Sequence, residues 1–299
     1  MKKFVILANC QGGALAKTLM ENKEFASLYE CLFIPQIQRL KGADVPDVLR
    51  KIQVADLFIY QPIAIAPQRP VELTSTFLLE QVRRGTKIIS FPPIYFDGYF
   101  PHLQTLKGYV SALRLVHDYF IAYSCSIGLT IAQTIKLIQN ENLYPEGVSM
   151  SLVERSLKNL SDREIAFNID IKLSKFISDN YKHEKLFNQF NHPKRAVFKY
   201  LAERILERIG IENPYINEKR ASYLDDIMTP IYKSTYKNLK LEFNEDFETY
   251  NGLGGTGLKQ GEVVKRFFEF YRNHDLGEIN LFISKNKPFV PRIVEANLS

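Results

Sequence analysis

The chain opens on the feature that most limits what it can become. Residues 4 to 8 (FVILA) are five consecutive apolar residues, followed with no polar transition by NCQGG, and then by Ala14, Leu15, Leu19 and Met20 at helical spacing. A strand that is apolar on both faces must be covered on both, and the way to cover it is a parallel sheet flanked by crossover helices. Further short apolar runs at 28–34, 56–60 and 87–91, separated by helical patterns near 46–54 and 72–84, repeat that alternation. The expected fold class is therefore α/β, a parallel sheet with crossover helices in the N-terminal part, followed by a helix-rich part.

The spacing also predicts a strand at Tyr119 to Ala122. From Ile127 onward it predicts helices over 127–140, 149–159, 162–179 and 193–209, the last stopped by Gly210. The segment GIENPYINEK at 210–219 reads as a linker, with a helix at 259–273 beyond it, which divides the chain into 1–212 and a C-terminal extension at 213–299.

Net charge is +6, from 39 Lys and Arg against 33 Asp and Glu. That mild excess suits solubility or an anionic ligand and does not call for nucleic acid. It is concentrated at 182–208, where Lys182, Lys185, Lys194, Arg195, Lys199, Arg204 and Arg208 stand against Glu184, Glu203 and Glu207. Cys10, Cys31 and Cys125 are odd in number and widely spaced. They make neither a disulfide framework nor a metal site of the CxxC kind, so no metal is expected and the compartment is expected to be reducing. The apolar stretch in MKKFVILANC stops short of the roughly 7 to 15 residues of a secretory core. No segment reaches the roughly 18 apolar residues of a membrane span, so the expected location is cytoplasmic.

Cys10 falls in the loop after the first strand and just ahead of a helix, the edge where open α/β sheets bind ligands. Helix N-terminal amides and the helix dipole draw a thiol there toward the nucleophilic thiolate. Gly12 and Gly13 admit a ligand to the backbone, and the loop amides together with Asn9 and Gln11 are candidate oxyanion donors. The alternative is a small buried cysteine beside a loop that needs glycines. A nucleophile needs a base. His192, in FNHPKRAVFKYLAERIL, is placed by Pro193 at or beside a helix cap, with His102 as runner-up. The aromatic segment SFPPIYFDGYFPHL at 90–103 supplies Tyr95, Asp97, Tyr99 and His102 as a candidate wall for a ligand ring or sugar, or else forms a packed loop over the sheet end. NGLGGTG at 251–257 formally contains G-x-G-x-x-G at Gly252, Gly254 and Gly257, but no buried strand precedes it, which argues against a dinucleotide fingerprint.

Taken in order, ANCQGG, SFPPIYFDGYFPHL and FNHPKRAVFKYLAERIL resemble the WcbI-type polysaccharide biosynthesis acetyltransferase family over about residues 1 to 212. The resemblance implies binding of coenzyme A and acetyl-CoA and acetyl transfer to a capsular or other surface sugar. It also implies a Cys/His site in which Cys10 is the nucleophile or key polar group and His192 the base. Lys194 and Arg195, beside His192, then become candidates for the phosphates of coenzyme A. The implied partners are acetyl-CoA and a sugar or polysaccharide precursor, with peripheral contact to a membrane-bound biosynthetic complex.

The layout is also similar to that of SGNH hydrolases, with two departures: Cys in place of Ser, and Gln189 where Asp usually stands three residues before the histidine. A third member of the triad is open among Asp97, Asn191 and Gln189. Ala8 replaces the family's usual glycine. Rival readings are a thioesterase or esterase, a nucleotide-sugar-dependent glycosyltransferase, and a non-catalytic coenzyme A-binding module.

Overall fold

In a computed structural model, residues 1–64, 69–105, 116–217, 223–225, 227–252 and 256–298 are described. The first half runs β1 (Lys2–Leu7), α1 (Cys10–Leu19), α2 (Lys23–Leu28), β2 (Tyr29–Cys31), α3 (Val45–Val54), β3 (Leu57–Tyr60), α4 (Ser75–Glu80) and β4 (Lys87–Ser90). The four strands form one parallel sheet in the order β2-β1-β3-β4. The α/β reading of the sequence is what the chain adopts.

After β1 the chain steps to one side to make β2, then crosses back to place β3 on the other side of β1, so the order reverses between β1 and β3. Register pairs Leu7 with Tyr60 and Tyr60 with Ser90. The carboxyl ends of three strands are therefore level, and the residues that follow them share one edge. Phe4, Val5, Leu7, Leu57 and Ile59 are fully buried, as strands covered on both faces require.

The chain continues through β5 (Leu103–Thr105), β6 (Val116–Asp118), α5 (Tyr119–Ser126), α6 (Ile131–Ile138), α7 (Val148–Ala166), α8 (Ser174–Asn180), β7 (Phe187–Gln189), β8 (His192–Pro193) and α9 (Arg195–Ile209). It ends with α10 (Lys233–Leu239), β9 (Thr249–Tyr250), β10 (Leu258–Lys259), α11 (Gln260–Tyr271), α12 (Leu276–Asn286) and α13 (Phe289–Leu298). Among the described residues no helix is long and apolar enough to cross a membrane.

Three local expectations are corrected. Tyr119 to Ala122 is helix, because the Asp118 carboxylate accepts from the amides of Phe120 and Ile121 and so caps α5. Residues 119–125 are all buried, and a helix that is apolar all round hides its period from the sequence. The helix expected over 162–179 is instead the end of α7, a turn through Asn168 (φ 46°), and α8. The buried Glu164 carboxylate makes that break by accepting from the amides of Leu173 and Ser174 (2.6 and 2.9 Å). The helix expected from Pro193 begins at Arg195 with Lys194 as its cap, and His192 lies in β8. Gly210 closes α9 in the left-handed conformation (φ 84°), as expected.

Two compact units emerge. One comprises residues 1–94, 158–179 and 193–224, and the other 95–157, 180–192 and 225–299. These follow different lines from the division at 212/213. In the second unit the C-terminal helices α11, α12 and α13 pack on α5, so the tail is part of a core that begins at Tyr95.

Candidate active site

Cys10 is the first residue of α1, three residues beyond the carboxyl end of β1, half-buried and in no disulfide. Asn9 caps the helix, its Oδ1 accepting from the Gln11 amide at 2.9 Å. Two glutamines fix this loop. Gln11 is fully buried; its Nε2 donates to the Ile94 carbonyl (2.7 Å) and its Oε1 accepts from the Ile94 amide (3.0 Å) and from Gln61 Nε2 (2.8 Å). Gln61, directly after β3, accepts from the Asn9 amide at 3.0 Å through Oε1. These bonds join the loops after β1, β3 and β4 at the point where strand order reverses, the usual ligand edge of such a sheet.

The same bonds revise the expected oxyanion donors. The amide of Asn9 is taken by Gln61 and that of Gln11 by the cap, while the Gly12 amide bonds the Asn9 carbonyl (3.0 Å). The Gln11 side chain faces the strand ends as a structural brace. For Asn9, whose Oδ1 is spent on the cap, Nδ2 remains as the side-chain donor.

Gly12 and Gly13 differ. A Cβ at Gly12 would lie 2.9 Å from Ala8 Cβ and 3.3 Å from Ile6 Cγ2, so glycine lets α1 rest on β1. A Cβ at Gly13 would meet nothing within 4 Å. Both line a cavity of about 310 Å³, together with Asn9, Cys31, Gln36 and Arg39 and with apolar walls from β1 and from the segment after β2. Burial pushes the Cys31 thiol up from its ordinary pKa.

His192 is half-buried at the start of β8, and Lys194 is a half-buried cap residue. Arg195 is committed. Its Nη1 and Nη2 make a two-pronged pair with Glu21 (2.9 and 2.5 Å), and Nε and Nη2 donate to the Asn217 carbonyl (3.1 and 2.5 Å), at 8% exposure. This guanidinium fastens the start of α9 to the chain after α1, which removes it as a phosphate ligand. Most of the basic segment is likewise paired: Lys185 with Glu245, Lys199 with Glu203, Arg204 with Glu207 and Arg208 with Asp170.

In the second unit, Tyr95 is partly exposed and stacks on Phe190. The Asp97 carboxylate lies 3.9 Å from both Arg155 and Lys287. Tyr99 and His102 are fully buried, which corrects their assignment to a ligand wall. The Tyr99 hydroxyl donates to the carbonyls of Tyr181 and Glu184. His102 stacks on Tyr232 with centroids 3.9 Å apart, its Nε2 3.8 Å from the Asp118 carboxylate. Burial lowers its pKa to about 3, so it is neutral at physiological pH and carries no exposed proton chemistry. Gln189 is buried and donates to Thr229 Oγ1 (2.9 Å). In the glycine-rich loop, Gly254 lies outside the described residues; β9 and β10 on either side pair antiparallel.

The sequence model of the family described as polysaccharide biosynthesis enzyme WcbI matches residues 3–214. The chain belongs to the WcbI family. No curated protein matches the sequence. A solved structure of WcbI, described as a polysaccharide biosynthesis enzyme and as the native protein without a disulfide bond between coenzyme A and one of its cysteines, superposes with a TM-score of 0.88. It covers 98% of each chain at 20% identity, a level that establishes a shared fold.

In this WcbI-family chain, the motifs single out Cys10, Gly12 and Gly13 at this edge but not Gln61, Gln36, Arg39 or Cys31. Gln61 carried a signal, being the first polar residue after an apolar strand, as Asn9 is after β1. Arg39 carried none, because only folding brings the turn at Ile37–Arg39 against β1, where the Ile37 amide donates to the Ala8 carbonyl (3.0 Å).

Proposed function

We propose that the protein is an acetyl-CoA-dependent O-acetyltransferase that acts on a sugar hydroxyl of a capsular or other surface polysaccharide precursor. Its place of action is the cytoplasmic side of a membrane-bound biosynthetic complex. The observation that carries this reading is Cys10 at the first turn of α1, on the edge where strand order reverses and next to a cavity of about 310 Å³. The family supports a role in polysaccharide biosynthesis, and the WcbI structure is described with reference to coenzyme A.

In the covalent route, His192 takes the thiol proton of Cys10 as Sγ attacks the acetyl carbonyl carbon of the thioester. A bond from Sγ to that carbon forms, the bond to the coenzyme's sulfur breaks, and coenzyme A leaves as the thiol after taking a proton from His192. His192 then accepts the proton of the sugar hydroxyl as its oxygen attacks the acyl carbon and the bond to Cys10 Sγ breaks, and it returns that proton to Sγ, which restores the thiol. In the direct route His192 deprotonates the hydroxyl, which attacks the thioester itself, and Cys10 is a polar neighbour. Asn9 Nδ2 is the side-chain donor assigned to the tetrahedral oxyanion.

The test begins with thermal shifts in coenzyme A, acetyl-CoA, NAD and nucleotide sugars, since a ligand of the native state raises its apparent stability. Shifts with the two coenzyme A species are expected. Intact-mass analysis after incubation with acetyl-CoA then separates the routes: an acetyl adduct lost in Cys10→Ala marks the covalent one. Acetyl transfer should fall in both Cys10→Ala and His192→Ala. A shift with a nucleotide sugar alone overturns the proposal in favour of glycosyl transfer, and acetyl release at the same rate with and without sugar overturns it in favour of a thioesterase.

A further inference from the structure

We propose that the cavity beside α1 seats the phosphopantetheine arm of the coenzyme A thioester, with Arg39 as its phosphate anchor. This rests on the coenzyme A reading above and assigns the phosphate contact to a residue that motif reasoning did not single out. Arg195 is spent on Glu21 and Asn217. Arg39 has no side-chain ion pair or hydrogen bond among the described residues.

Position and chemistry favour this cation. Arg39 sits on a turn pinned to the end of β1, and its guanidinium stands exposed at a cavity otherwise walled by apolar side chains, Asn9 and Gln36. An apolar slot with two amides and one cation complements an arm of alkyl segments and amides that ends in phosphate. The volume, about 310 Å³, is at the low end of ligand sites and suits the arm rather than the whole coenzyme. Asn9, on the cavity wall, is adjacent in sequence to Cys10, so a chain lying there brings its thioester end toward the nucleophile's turn.

Gly13 supplies an independent argument. Glycine weakens a helix relative to alanine, and the packing that demands glycine at position 12 is missing at 13, where a side chain would project into open space. A helical glycine that the fold does not need, on the wall of a cavity, fits a surface kept clear for a ligand.

The experiment measures affinities of coenzyme A, 4′-phosphopantetheine and pantetheine by calorimetry for the wild type, Arg39→Gln and Gly13→Leu. In a Cys10→Ser background it also follows labelling of Cys31 by methyl methanethiosulfonate, read by peptide mass spectrometry. Arg39→Gln should weaken both phosphate-bearing ligands about tenfold or more and leave pantetheine unchanged. Gly13→Leu should weaken all three while leaving the melting temperature of the free protein at or above that of the wild type. Bound coenzyme A should slow Cys31 labelling. If coenzyme A binds the wild type but Arg39→Gln keeps full affinity and Cys31 reacts at an unchanged rate, the cavity assignment is wrong and the coenzyme A reading stands. If coenzyme A does not bind at all, both fall.

Discussion

Replacing Gly12 and Gly13 separately by alanine tests the packing of α1 on β1 with one substitution serving as control for the other. Both positions are helical, so both gain the same advantage of alanine over glycine, about 0.5–1 kcal/mol. They differ in what the new methyl meets. At Gly12 it lies 2.9 Å from Ala8 Cβ, an atom fixed to the buried backbone just after β1, and 3.3 Å from Ile6 Cγ2, so α1 or β1 must move by several tenths of an ångström. Overpacking of this kind costs about 1–3 kcal/mol. At Gly13 the methyl meets nothing. The propensity gain cancels between the two variants, which leaves the clash as their difference. At about 2–4 °C per kcal/mol, Gly13→Ala should melt roughly 2–12 °C above Gly12→Ala in ligand-free protein, with the wild type between them. Melting temperatures equal within a degree, or Gly12→Ala the more stable, would refute the claim that the first glycine serves packing and the second does not.

Arg195→Met should destabilise the protein by about 3–5 kcal/mol, because it removes the cationic partner of Glu21 from a pair whose side chains are only 10% and 5% exposed. Its soluble fraction should bind coenzyme A as the wild type does; intact stability with lost affinity would restore Arg195 to the ligand. The buried pair His102 and Asp118 predicts a pH effect. The His102 pKa is lowered from 6.5 to about 3, so its contribution is full above pH 6.5 and is lost as pH falls toward 3. The Asp118 pKa is raised by burial from 3.8 to about 6, so its contribution is full below 3.8 and is lost as pH rises through 6. Between pH 4 and 6 the two slopes oppose. Asp118→Asn removes one, and its stability should then climb with pH more steeply than the wild type's, by up to about 1.4 kcal/mol per pH unit; parallel curves in denaturant titrations would refute the assignment.

The sheet was legible because a strand buried on both faces writes an unbroken apolar run, as β1 and β3 at its centre do, while the edge strand β4 leaves Ile88 exposed. The same burial made α5 illegible, since seven consecutive buried residues leave no polar face to mark a helical period; only Asp118, a cap in hindsight, signalled where it began. The division of the chain was hidden for another reason. A linker is recognised by composition, whereas the tail joins the second unit through side chains far apart in sequence, as where Tyr123 donates to Glu295 (3.0 Å).

At the candidate site the sequence marked polar residues at the strand ends without showing which serve the ligand and which the fold, and the difference lies in satisfaction. An amide offers both donor and acceptor, so two of them can close on each other and on nearby backbone, as Gln11 and Gln61 do. A guanidinium offers only donors and must find oxygens elsewhere. Arg195 finds them in Glu21 and Asn217 and becomes structure. Arg39 stands at the cavity with its donors directed to neither, so the charge that sequence reasoning assigned to the start of α9 is supplied from the turn after β2. Two arginines equivalent by composition thus take opposite parts, and the carboxylate at position 21, 174 residues from Arg195 in sequence, decides which one can meet a phosphate.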